Sequence, residues 1–74
     1  MITKVFLTFP QKLIKEPILY ELAKKFPVRT NIRGASVTDV IALVALQIEG
    51  GEKDVESAIA HLRDLGVQVD RLAE

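Results

Sequence analysis

Between Ile41 and Ile48 every residue except Gln47 is apolar, and the run is closed by Thr38-Asp39 on one side and Gly50-Gly51 on the other. So short a run falls far below the roughly 20 residues that span a bilayer. It has the length of a strand buried on both faces at its centre. Such a strand must lie inside a sheet, so the rest of the chain has to supply its neighbours. Ile2 to Phe9 is one of them, with Thr3, Val5, Leu7 and Phe9 alternating against Lys4, Phe6 and Thr8 until Pro10 ends the strand.

The remaining elements follow in order. After a short polar connection, Glu16-Pro17 opens a helix in which Ile18, Leu19, Leu22, Ala23 and Phe26 recur at helical spacing, with Pro17 suited to the first helical position and Pro27 stopping the helix. Val28, Thr30 and Ile32 then alternate with Arg29, Asn31 and Arg33 in a second strand that runs toward Val37. Beyond Gly50-Gly51, the carboxylates of Glu52, Asp54 and Glu56 complement the N-terminal end of a second helix. Val55, Ala58, Ile59, Leu62 and Leu65 form its buried stripe. Gly66 is suited to a left-handed residue past that helix, and Val67, Val69 and Leu72 make a last short strand.

The order strand, helix, strand, strand, helix, strand is that of an α+β, ferredoxin-like βαββαβ two-layer sandwich. Right-handed crossovers give a four-stranded antiparallel sheet in the order 4-1-3-2 with two helices on one face. Residues 1–74 are expected to form one domain, since 74 residues sit near the lower limit for a self-sufficient core. With no cysteine there is no disulfide, thiolate metal site or thiol nucleophile, so packing or self-association must supply the stability. Ten basic and ten acidic residues leave no field to steer the chain to a polyanion. No signal peptide or membrane span is read, which points to a cytoplasmic protein.

Register decides what the uncovered face carries. With Val5, Leu7 and Phe9 toward the helices, Ala42, Val44, Leu46 and Ile48 share that side, and Phe6, Ile41, Leu43 and Ala45 lie outside. Strand two should turn Val28, Thr30, Ile32, Gly34 and Ser36 inward. A two-residue turn alone would set the wrong faces together, so an odd turn or a bulge is required, and pairing Arg33 with Ala45 restores consistency. The open face then shows an apolar patch of Phe6, Ile41, Leu43 and Ala45, rimmed by Arg29, Asn31 and Arg33 on an edge strand. Such surface beside an unpaired edge marks a partner or ligand, and a homodimer or larger assembly is expected.

Other chemistries find little support. An RNA-recognition module needs aromatic residues on strand three, which offers Ile41, Leu43 and Ala45 instead. Residues 10–15 hold neither the glycine nor the arginine of an anion-cradling loop. His61 reads as a solvent-exposed helix residue without a catalytic partner. Acids at the start of helix two and lysines at the end of helix one answer the helix dipoles. No catalytic residue, metal site or cofactor is called for. Arg29 and Arg33 serve equally well as ligand contacts or as edge charges that discourage aggregation.

Phe9, Glu16-Pro17, Asn31-Ile32 after Phe26-Pro27-Val28, and Leu46-Gln47-Ile48-Glu49-Gly50 together resemble the NIL domain family from Thr3 to Leu72, and Ala58-Ile59, Leu62 and Gly66-Val67-Gln68-Val69 extend the likeness. Arg33 stands where the name motif has leucine, and Ala42 where many members have glycine. The resemblance implies a stand-alone relative of the C-terminal regulatory domain of methionine-importer ATP-binding subunits, a domain that dimerises and binds methionine. It implies a non-catalytic module sensing an apolar amino acid at a homodimer interface, with Asn31 and Ile32 near the ligand; independently of the resemblance, Arg29 and Arg33 can attract its carboxylate and Leu43 and Phe6 can cover its side chain. The other reading is a protein-interaction module partnering a transporter ATPase or a ferredoxin-type electron carrier.

Overall fold

The computed structural model describes residues 1–72; Ala73 and Glu74, the end of the expected domain, lie outside the described residues. Strand β1 spans Ile2–Pro10 and passes through a 3-10 turn, Gln11–Leu13, to helix α1, Ile18–Lys25. Strands β2, Arg29–Val37, and β3, Ile41–Glu49, form a hairpin, followed by helix α2, Glu52–Leu65, and strand β4, Gln68–Arg71. The sheet is antiparallel in the order β2-β3-β1-β4, so β1 and β3 are central and the two helices cover one face, as the ferredoxin-like reading requires.

Each central strand buries alternate residues against the helices. Val5, Leu7 and Phe9 meet Ala42, Val44, Leu46 and Ile48, and α1 and α2 close over them with Ile18, Leu22, Val55, Ala58, Ile59 and Leu62. Leu7, Leu22, Leu46, Ile59 and Leu62, which the sequence places in one core, are all fully buried. α2 ends where Gly66 takes φ 104°, a left-handed conformation that costs glycine nothing, and the N–H groups of Gly66 and Val67 donate to the carbonyls of Arg63 and Leu62. Arg63 Nη2 then donates to the Val69 carbonyl at 3.0 Å, tying the helix end to β4. Arg71 on β4 pairs with Glu56 on α2.

Three expectations are corrected. The connection after β1 is not simply polar, because Leu13 and Ile14 pack on the edge of the core. His61 is half-buried rather than free in solvent, its ring tilted against Phe26 with centroids 5.5 Å apart. The third concerns β2. A bulge at Arg33 separates two registers, Ile32 opposite Leu46 and Gly34 opposite Ala45, so Arg33 itself does not pair with Ala45. Side-chain parity flips there. Thr30 and Ile32 share the helix side with Ile48 and Leu46, but past the bulge it is Ala35 and Val37, opposite Val44 and Ala42, that lie on that side. Gly34 and Ser36 pass to the open face.

The bulge reconciles a short turn with the burial of β3. The N–H of Thr38 donates to the Ile41 carbonyl at 2.9 Å, leaving Asp39 and Val40 as the turn. The Thr38 hydroxyl donates to that same carbonyl and accepts from the N–H groups of Val40 and Ile41. A two-residue turn this tightly held fixes the register near the loop, and one extra residue in β2 restores the other register farther down.

Candidate functional site

β2 differs from every other strand in lacking cover. Its residues are exposed from end to end except Thr30, which is half-buried, because the two helices sit over β1, β3 and β4 and α1 reaches only the near side of β2. Ile32 and Val37 lie on the helix side of the sheet, yet keep 56% and 62% of their surface exposed. Apolar side chains are thereby left in water beside an edge whose outer backbone groups meet no other strand of the sheet.

The sequence-derived site residues divide between two faces and two ends of this region. Asn31, opposite Gln47, and Arg29, opposite Glu49, lie on the open face at one end of the hairpin. Ile32 lies on the other face. Leu43 is opposite Ser36, toward the turn, and four residues of extended chain separate it from Gln47, about 14 Å. Within one chain, Asn31 and Leu43 therefore do not converge. The expected interface set does form a contiguous strip: Phe6, Leu43 and Ala45 are half-buried neighbours, with the more exposed Ile41 at its end.

Two shallow depressions mark the open face. One, about 300 Å³, is lined by Phe6, Gly34, Ala35, Ser36, Leu43 and Ala45. The other, about 200 Å³, includes Lys4, Arg33, Ala45 and Leu72. They share Ala45 and so adjoin, giving a trough with Leu43 in one part and Arg33 in the other. Its floor is apolar, and Lys4 and Arg33 stand at one end of it.

A third cavity, about 260 Å³, opens on the opposite face between α1 and the turn end of β2 and β3, with Leu13, Ile14, Ile18, Val37 and Val44 among its walls. Sequence reasoning missed it. The available signal was the Leu13-Ile14 pair inside the connection, which makes sense only if that connection folds back over the sheet.

The chain carries no catalytic motif. No group of three or more His, Cys, Asp or Glu side chains able to hold a metal occurs among the described residues. No helix among the described residues is long and apolar enough to cross a membrane. Residues 3–71 match the family model described as the NIL domain. A solved structure, the C-terminal domain of an ABC transporter / ATP-binding protein from Enterococcus faecalis, superposes with a TM-score of 0.84 over 97% of this chain and 84% of that one. At 22% identity the likeness is one of fold. No curated protein matches the sequence significantly.

Proposed function

The chain belongs to the NIL domain family, and from that membership we propose that it is a non-catalytic interaction module working with the ATP-binding subunit of an ABC transporter, on the cytoplasmic side where such a subunit hydrolyses ATP. The observation that carries this reading is β2, exposed on both faces along its length and unpaired on its outer edge. An edge of nine residues with Ile32 and Val37 in water is a liability unless a partner strand or surface covers it. A transporter subunit is favoured over a ferredoxin-type carrier because the similar solved domain is part of an ABC-transporter ATP-binding protein. Hydrogen exchange tests the reading. Adding ABC-transporter ATP-binding subunits from the same cell one at a time should protect the amides of Thr30, Ile32, Ala35 and Val37, and unchanged exchange with every one of them would refute it.

A second reading is supported by the trough between Leu43 and Arg33. Its apolar floor and the cationic end at Arg33 suit an amino acid whose carboxylate meets arginine and whose side chain lies on Leu43 and Phe6, methionine being a good shape. On this reading the domain senses an apolar amino acid at a homodimer interface, with Asn31 supplying donor and acceptor groups. A ligand at about 100 times its dissociation constant stabilises a fold by roughly 2.7 kcal/mol. Methionine at millimolar concentration should raise the melting temperature, and Asn31→Ala should reduce that rise. Absence of any shift with every free amino acid leaves the interaction module alone.

A further inference from the structure

We infer that Arg63 closes the β4 edge of the sheet against strand addition, so that β2 is left as the one edge open to a partner and assembly cannot continue from the other side. This rests on the reading of β2 as the interaction surface and concerns the opposite end of the sheet.

An open four-stranded sheet has two edges, and here they are β2 and β4. One bond fixes which way the backbone groups of β4 point. The N–H of Leu72 donates to the Lys4 carbonyl at 2.9 Å, and these two residues continue the register that sets Val5 opposite Arg71 and Leu7 opposite Val69. In an antiparallel ladder, pairs bonded to each other alternate with pairs whose groups point away. Gln68 and Asp70 therefore share Leu72's direction toward β1, while Val69 and Arg71 turn their N–H and C=O outward. Those outward groups are what an added strand must meet.

One of them is already taken. Arg63 lies in the last turn of α2, on the covered face of the sheet, and its Nη2 donates to the outward carbonyl of Val69 at 3.0 Å. It occupies the acceptor that the N–H of an incoming strand needs. A bond from a guanidinium is roughly twice as strong as one between neutral backbone groups, so an incoming amide does not displace it without loss. Its charge at the rim also discourages a second strand from packing there. Beyond Val69, Arg71 alone keeps its outward groups, and its side chain is drawn back onto α2 by Glu56. Two copies of β4 fare no better with each other: the two-fold pairing that uses both outward residues, Val69 opposite Arg71, sets Asp70 against its own copy, like charge facing like.

β2 carries no such guard. Among the described residues no side-chain hydrogen bond reaches its backbone. Thr38 and Ile41 form a bonded pair, so Val37 and Ala35 point outward, and past the bulge Thr30 and Ile32 do. A chain that bares β2 for a partner runs a particular risk if β4 is bare too. The β4 of one copy then adds to the β2 of the next, with Val69 opposite Ile32 and Arg71 opposite Thr30. That contact is head-to-tail, and head-to-tail contacts that do not close into a ring grow without limit. Arg63 removes the acceptor at the centre of it.

The plain alternative is that Arg63 merely ties α2 to β4, and Arg63→Met separates the two roles because it keeps an apolar stem and loses the donor. Sedimentation over a dilution series should show R63M growing with concentration beyond the largest species the wild type forms. The amides of Val69 and Arg71 should then exchange about tenfold more slowly than in dilute R63M, as for an edge that gains hydrogen bonds. A lower melting temperature with neither growth nor protection is the mark of a tether and overturns the inference. If R63M does not fold, the wild type decides: slowing of the Val69 and Arg71 amides as its concentration rises overturns the inference, and exchange that stays fast supports it. The β2 reading is scored on other amides, those of Thr30, Ile32, Ala35 and Val37 in the wild type with an ABC-transporter ATP-binding subunit added. If these are protected and R63M does not grow, only the role of Arg63 falls; if they are never protected while R63M grows through β4, the β2 reading falls and Arg63 remains the guard of its edge.

Discussion

β2 and β3 are adjacent, antiparallel and nine residues long, yet one buries every second side chain and the other leaves nearly all of them in water. β3 lies between two strands under both helices, so Ala42, Val44, Leu46 and Ile48 are closed off. β2 has a neighbour on one side only and the helices stop short of it. The contrast at one rung is sharp: Leu46 and Ile32 are opposite one another on the same face, one 1% exposed and the other 56%. Of two branched aliphatic side chains of the same size, the inner one is thus closed into the core, while the outer one is left at the surface where the proposed association would cover it.

The largest effect should come from the inner member of that rung. Leu46→Ala removes a fully buried side chain from between strand and helices and should cost about 2 to 5 kcal/mol in a denaturant titration, a large part of the stability of so small a domain. A neutral result would mean that the core does not depend on β3 in the way its burial indicates.

Two glycines extend the comparison. Gly66 holds φ 104° at the end of α2, so Gly66→Ala should destabilise by about 1 to 2 kcal/mol. Gly34 in the bulge of β2 has a negative φ and nothing within 4 Å of an added Cβ. Gly34→Ala should therefore be neutral or stabilising by about 0.4 to 1 kcal/mol, through the unfolded chain. Thermal melts of the two variants side by side would erase the distinction if both lost stability equally.

The smallest effect should be at the outer member. At low protein concentration Ile32→Ala should change stability by no more than about 0.5 kcal/mol, as for an exposed position. Its consequence should appear at high concentration, as weaker self-association measured by sedimentation. Equal losses for Ile32→Ala and Leu46→Ala in the dilute chain would break the division between the two strands.

How much of this was legible in the sequence follows from the same two strands. The apolar run at Ile41–Ile48 could only be a central strand, and the stripes of Leu22 and of Ile59-Leu62 could only be helices facing it, because burial on a periodic surface leaves a periodic trace. That a bulge or odd turn was needed was also readable, since a simple hairpin would have buried Arg29, Asn31 and Arg33. The location of the bulge was not. Residues on either side of Arg33 alternate acceptably in either register, and the choice fell to the Thr38 turn, which fixes one register, and to the buried side of β3, which fixes the other.

The candidate site was legible only as a set of residue types. Asn31, Arg29, Arg33 and Leu43 were readable as a polar, cationic edge beside an apolar patch, but their separation depends on the ladder between them. The amino-acid sequence determined the elements, their order and the core, because each is written in local periodicity and in the residues that punctuate it. Tertiary structure alone decided where parity changes in β2, that the helices leave that strand bare, and that Leu13 and Ile14 wall a cavity. Those outcomes depend on how separate elements meet in space, which no local pattern encodes.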